Sequence, residues 1–134
     1  MQSELQEEVI EQQAFLCDYR TFKELYNLQR RMQSRSKATI FLGLVHIRCD
    51  ASENNDPLYE EKTVNDIVSI CQRLLRVGDA ICRKGDTTIA ILFPAESYED
   101  AVGVLERLKT AGRERTDEDV VIVYRVRPLK SGRD

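Results

Sequence analysis

Few side chains in this chain are suited to chemistry, and their spacing limits what that chemistry could be. The only imidazole is His46, and the four cysteines, Cys17, Cys49, Cys71 and Cys82, are scattered without a CxxC pair. Tetrahedral zinc takes four nitrogen or sulfur ligands at short paired spacings, so this set predicts no zinc site. A lone imidazole can act as a pH switch. At the end of an apolar strand it can also be a partly buried polar residue with no chemical role. A second group is Arg76 and Asp79, in the order Arg-Val-Gly-Asp. Arg76 can complement a helix C-terminus while Asp79 pairs with Arg83; alternatively, the guanidinium fork is kept for an anionic ligand. The third group is the turn Lys84-Gly85-Asp86-Thr87-Thr88, where one acid and two hydroxyls flank a glycine. Hard divalent cations want several carboxylate oxygens, and one acid predicts no metal site and no cofactor here.

The elements that must position these groups can be read from periodicity. Gln2 to Gln13 is rich in Glu and Gln with sparse apolar Leu5, Val9 and Ile10, which predicts a helical linker over 1–14. From Phe15 to about Met32, apolar residues recur at helical spacing (Phe15, Tyr19, Phe22, Leu25, Tyr26, Met32). Ala38 to Ile47 reads as a buried strand that ends at His46, and Asp50 to Pro57 as a loop. A helix over 60–75 follows from Val64, Ile67, Val68, Cys71, Leu74 and Leu75, with Gly78 past its end. Strands are expected at Ala80–Arg83 and Thr87–Phe93, joined by a Lys84-Gly85-Asp86 hairpin. Ser97 can cap a helix over 97–111 with the stripe Ala101, Val104, Leu105 and Leu108, ended by Gly112. A last strand, Val120–Val126, stops at Pro128, and 129–134 reads as a flexible tail.

After the first helix the order is β-α-β-β-α-β. That order predicts an α+β fold of ferredoxin-like type: an antiparallel-rich sheet with helices 60–75 and 97–111 packed on one face. Val68, Cys71, Leu75, Ala90, Leu92, Val104, Leu108 and either Val121 or Ile122 are the expected buried positions.

Composition narrows the function. The 134 residues suit one domain, placed at 15–128, since domains commonly run to roughly 100–150 residues. Apolar residues make up 42% and charged ones 32%, enough for a soluble chain to bury a core. A net charge of −3 does not favour nucleic acid or an anionic membrane. The cationic run Arg30, Arg31, Arg35 and Lys37 is short and follows a helix, where it solvates the C-terminal end. No apolar run approaches the ~20 residues of a membrane span and no signal peptide opens the chain, so a cytoplasmic protein is expected. Cys71 and Cys82 fall in apolar elements, which predicts packing rather than redox chemistry.

The stretch Arg73 to Pro94 resembles the signature of the GGDEF family of bacterial diguanylate cyclases. Arg83, Gly85 and the run Ala90-Ile91-Leu92-Phe93-Pro94 keep the family's frame. Where that family has Gly-Gly-Asp/Glu-Glu-Phe, this chain has Gly85-Asp86-Thr87-Thr88-Ile89, and where it has a DxD-like stretch, His46-Ile47-Arg48 stands. The resemblance therefore implies a GGDEF-like fold with a degenerate active site. The metal-binding carboxylates are replaced at His46 and Thr87, and the neighbouring acids at Arg48 and Thr88. Asp86 adds a negative charge where the family brings bare backbone to nucleotide phosphates. Asn54, eight residues after His46, stands at the offset of a guanine-contacting Asn, although its loop is also plain turn chemistry. Arg76 and Asp79 fit the family's RxxD motif, which in many members forms an inhibitory site for cyclic di-GMP.

The segment Ala14 to Tyr19, continuing through Phe22–Tyr26 to Arg30-Arg31, is similar to the start of the C-terminal domain in certain bacterial transcriptional activators. These carry a winged-helix DNA-binding domain and a helical-repeat activator domain upstream. The resemblance implies a non-catalytic regulatory or assembly domain whose partners are those upstream domains, with a homodimer as a further possibility. It implies no direct contact with nucleic acid or membrane. The alternative is a cyclic di-GMP receptor using Arg76 and Asp79; an active cyclase is the reading that the missing acids exclude.

Overall fold

The computed structural model describes residues 15–32, 39–49, 57–76, 79–116 and 119–129. In chain order the elements are β1 (Phe15–Cys17), α1 (Tyr19–Met32), β2 (Thr39–Cys49), α2 (Pro57–Leu74), β3 (Ala80–Arg83), β4 (Thr88–Ala95), α3 (Tyr98–Arg115) and β5 (Val120–Pro128). One five-stranded sheet runs β1-β3-β4-β2-β5; β1 lies parallel to β3 and every other pairing is antiparallel. From β2 to β5 this is the α+β order that the periodicity predicts.

The first helix departs from expectation at its start. Phe15, Leu16 and Cys17 do not open α1 but form an edge strand opposite Ala80, Ile81 and Cys82. The break is local chemistry: the Asp18 carboxylate accepts the Thr21 N–H at 2.7 Å, and its carbonyl accepts the Phe22 N–H at 3.0 Å. An N-cap residue has extended backbone, so helix cannot continue upstream through it. The proposed linker over 1–14, most of the loop after β2 with Asn54, and Gly78 lie outside the described residues.

Alternation along β2 and β4 divides the core into two layers. On one face, α2 and α3 close over Phe41, Val45, Ile47, Ile89, Ile91, Phe93, Val120 and Ile122. On the other, α1 lays Phe22, with half-buried Leu25 and Tyr26, against Leu42, Ala80, Cys82, Ala90 and Leu92. Val68, Cys71, Leu75, Ala90, Leu92, Leu108 and Ile122 are buried as expected; Val104 and Val121 are half-buried. Ala90 and Leu92 serve the α1 layer, not the two-helix layer. All four cysteines are free, and burial pushes the Cys71 thiol up to about 12, so it stays protonated and packs as a small apolar group.

Two ends also differ. Gly112 does not terminate α3, which runs on to Arg115. Its missing side chain serves packing instead, since a Cβ there would meet Ile122 Cδ1 at 2.8 Å. Leu129 is buried rather than the start of a free tail, and its N–H donates to the Ile40 carbonyl at 2.9 Å. The cap Ser97 is as predicted, accepting the Asp100 N–H at 3.1 Å.

The two glycines of α3 should respond oppositely to alanine. At Gly103 nothing lies within 4 Å of the new methyl, so Gly103→Ala should stabilise by about 0.5–1 kcal/mol. Gly112→Ala gains the same propensity but drives a methyl into a packed core, and should lose up to about 2 kcal/mol net. Urea denaturation of both variants checks this.

Candidate functional site

The residues singled out at the end of β2 and in the Gly85 turn converge at one end of the β2–β4 ladder. β2 delivers His46 and β4 delivers Thr88 as directly opposed residues, and Thr88 Oγ1 lies 3.0 Å from His46 Nδ1. The hydroxyl therefore engages one of the two ring nitrogens. The backbone is equally closed: Ile47 N–H donates to the Thr87 carbonyl at 2.9 Å, and Lys84 N–H to the Thr88 carbonyl at 2.8 Å. Gly85, at φ +88°, supplies the left-handed turn residue that lets Asp86 swing outward. Asp86 and Arg48 are exposed. Among the described residues, no cluster of three or more His, Cys, Asp or Glu side chains could hold a metal ion.

Sequence reasoning missed how the turn is fixed. Arg83 Nη1 donates to Glu61 Oε2 at 2.7 Å and to Asn65 Oδ1 at 3.0 Å; Nη2 donates to Glu61 Oε1 at 3.2 Å and to the Asp86 carbonyl at 2.8 Å. The guanidinium fork thus fastens the hairpin to α2 in a bidentate pair, and it holds the Glu61 carboxyl below its usual range. An Arg just before a glycine turn, with Glu and Asn four apart on the preceding helix, was the available signal. It was read as a partner for Asp79, and the structure corrects that reading.

Asp79 instead closes its own turn. Its carboxylate accepts the Arg76 N–H at 2.9 Å, its N–H donates to the Arg76 carbonyl at 3.0 Å, and its carbonyl accepts the Phe15 N–H at 2.8 Å. One residue thereby ends α2 and anchors edge strand β1. Asp79 is 5% exposed and Arg76 is exposed, and both line the groove beside the end of α2, with the Asp79 carboxylate already engaged by the Arg76 N–H. Burial pushes the Asp79 carboxyl up, against the pull of the Arg76 N–H and charge. Arg76 is exposed and lines a groove of about 530 Å³ between the end of α2 and the start of α3. Arg107 shares that groove with Glu96, Glu99 and Asp100, which gives it an acidic balance.

No protein-family profile matches the sequence, and no curated protein matches it. Solved structures do. The FimX GGDEF domain from Pseudomonas aeruginosa superposes with a TM-score of 0.71 at 16% identity, covering 87% of this chain and 77% of that one. A DGC protein from Thermotoga maritima gives 0.68 at 20% identity, with 91% and 88% covered. Diguanylate cyclase SiaD, solved in complex with its activator SiaC from Pseudomonas aeruginosa, gives 0.68 at 19% identity, with 86% and 47% covered. At these identities the likeness is one of fold: this chain has a GGDEF-like α+β fold.

The Asp79 turn carries a pH signature. Because the folded pKa lies above the unfolded one, the folded state holds the extra proton. Stability from this group is highest in acid and declines as pH rises through the ordinary carboxylate range to the raised value. Asp79→Asn keeps an acceptor for the Arg76 N–H and should flatten that decline. Asp79→Ala leaves the donor unpaired and should cost about 1–3 kcal/mol, most in acid, where the native side chain contributes most. Thermal melts of the three proteins between acid and neutral pH test both statements.

Proposed function

We propose that this domain is a non-catalytic regulatory or assembly module on a GGDEF-like scaffold, the C-terminal part of a cytoplasmic bacterial transcription regulator. The observation that carries the non-catalytic reading is the His46–Thr88 hydrogen bond. Joining two nucleoside triphosphates needs divalent metal to polarise phosphate and activate a hydroxyl, and metal needs carboxylates. The two positions that would offer them hold the His46 imidazole and the Thr87 hydroxyl, and the imidazole is engaged by the neighbouring Thr88. Asp86 beside them opposes a polyanion. The domain then acts through protein contacts, with DNA-binding and activator domains of the same regulator as its partners. Diguanylate cyclase SiaD, a structural neighbour at 19% identity, was solved in complex with its activator SiaC, which supports a reading through protein contacts.

One observation favours the cyclic di-GMP alternative: the Arg76 guanidinium is exposed on a groove large enough for part of a nucleotide. Against it stand the committed Asp79 carboxylate and the three acids of that groove. Purified protein should make no cyclic dinucleotide from GTP or ATP with magnesium or manganese, read by chromatography and mass spectrometry. Titration calorimetry should show no cyclic di-GMP binding at micromolar ligand. Turnover surviving removal of contaminating cyclases overturns the first reading; binding abolished by Arg76→Ala establishes the second.

A further inference from the structure

The two faces of the sheet are unequally covered. α2 and α3 together cover one, whereas the other carries α1 alone among the described residues, seated over β3 and β4. Among the described residues, no helix is seated over the β2–β5 half of that second face. Its β5 row is Val121, Val123, Arg125 and Arg127, opposite Arg48, His46, Leu44 and Leu42 on β2. Val123 at its centre is 51% exposed, and Arg125 and Arg127 are exposed while Leu44 is half-buried. Between this surface and α1 runs a cleft of about 210 Å³, floored by Phe22, Leu42 and Ala90 and rimmed by Lys23, Lys84 and Arg127. None of the residues lining it is acidic.

We propose that this half-face is the seat of one amphipathic α-helix with acidic flanks, supplied by a partner protein. Two strands about 4.8 Å apart present a strip roughly as wide as one helix of ~10–12 Å diameter. The apolar centre (Leu44, Val123) matches the buried stripe of such a helix. The lysines and arginines on both sides match glutamates or aspartates beside that stripe, which selects an acidic partner over a basic one. A cleft this small is below the usual ~300–1,000 Å³ of small-molecule sites and suits a single large apolar anchor side chain. The inference rests on the reading that the domain works through protein contacts. Its test is independent of catalysis: a failure here leaves the absence of turnover untouched, and turnover would not move this site.

The test titrates the ¹⁵N-labelled full chain with a 14-residue amphipathic peptide carrying leucines at helical spacing flanked by glutamates. Its counterpart with lysines for glutamates is the control. Binding should shift the amides of Tyr26, Leu44, Val123 and Arg125, and the lysine counterpart should bind at least about tenfold more weakly. The double variant Arg125→Glu/Arg127→Glu should lose about tenfold or more in affinity, and Val123→Glu should lose binding with the rest of the spectrum unchanged. The proposal fails if no shifts arise at ~1 mM peptide, if they fall on α2 and α3, or if charge reversal has no effect. It also fails if a single-stranded oligonucleotide takes the same residues more tightly than the peptide, or if the face is occupied by a second copy of this chain in sedimentation experiments.

Discussion

Strand β2 pairs along both of its edges, with β4 on one side and β5 on the other, and the rest of the molecule follows from that register. Alternation sends Phe41, Val45 and Ile47 under α2 and α3, and Leu42 and Leu44 toward α1. A slip of one residue would exchange these sets and expose both layers at once. The same register places His46 opposite Thr88. The core and the candidate site are therefore one constraint seen at two positions along the strand. Gly43 marks how tight it is, since a Cβ there would approach Leu105 Cδ2 at 3.2 Å.

Among the described residues, no buried side-chain polar atom is left without a hydrogen-bond partner. The Thr88 hydroxyl engages His46 Nδ1, and the Arg83 fork holds the hairpin through Glu61, Asn65 and the Asp86 carbonyl. These bonds fix the turn from within the chain. That separates the fold's geometry from the chemistry the geometry can host. Elsewhere polar contacts between α3 and β5 work in the same structural way. Tyr124 donates to Glu106, which pushes its hydroxyl up to about 12, and Lys109 lies over its ring.

Much of the fold was legible because its signals are periodic. The stripes of α2 and α3, the near-continuous apolar run of β2 and the Ser97 cap each have one physical reading, and the structure follows them. The short elements were not legible in the same way. Three residues, Phe15 to Cys17, cannot display a period of two against one of 3.6 over so short a span, and their pairing with β3 is non-local. Asp18 was the local sign that the helix starts later. Gly112 looked like a helix end because glycine so often is one; what decides its role is Ile122, ten residues on in sequence and adjacent only in the fold. The candidate site divides likewise. The opposition of His46 and Thr88 follows from strand register, whereas the partners of Arg83 and Asp79 depended on which acid the folded chain brings within reach.

The central claim is that the His46–Thr88 end of the sheet is a closed, internally hydrogen-bonded structure rather than a metal–nucleotide site. Paramagnetic broadening tests it most directly, because manganese bound with GTP would relax the amide signals nearest to it. Titrating manganese with GTP into the ¹⁵N-labelled chain should broaden no cluster of amides around His46, Ile47, Thr87 and Thr88 beyond the level seen across exposed carboxylates. Selective loss of those signals at sub-stoichiometric manganese, reversed by chelation, would contradict the account.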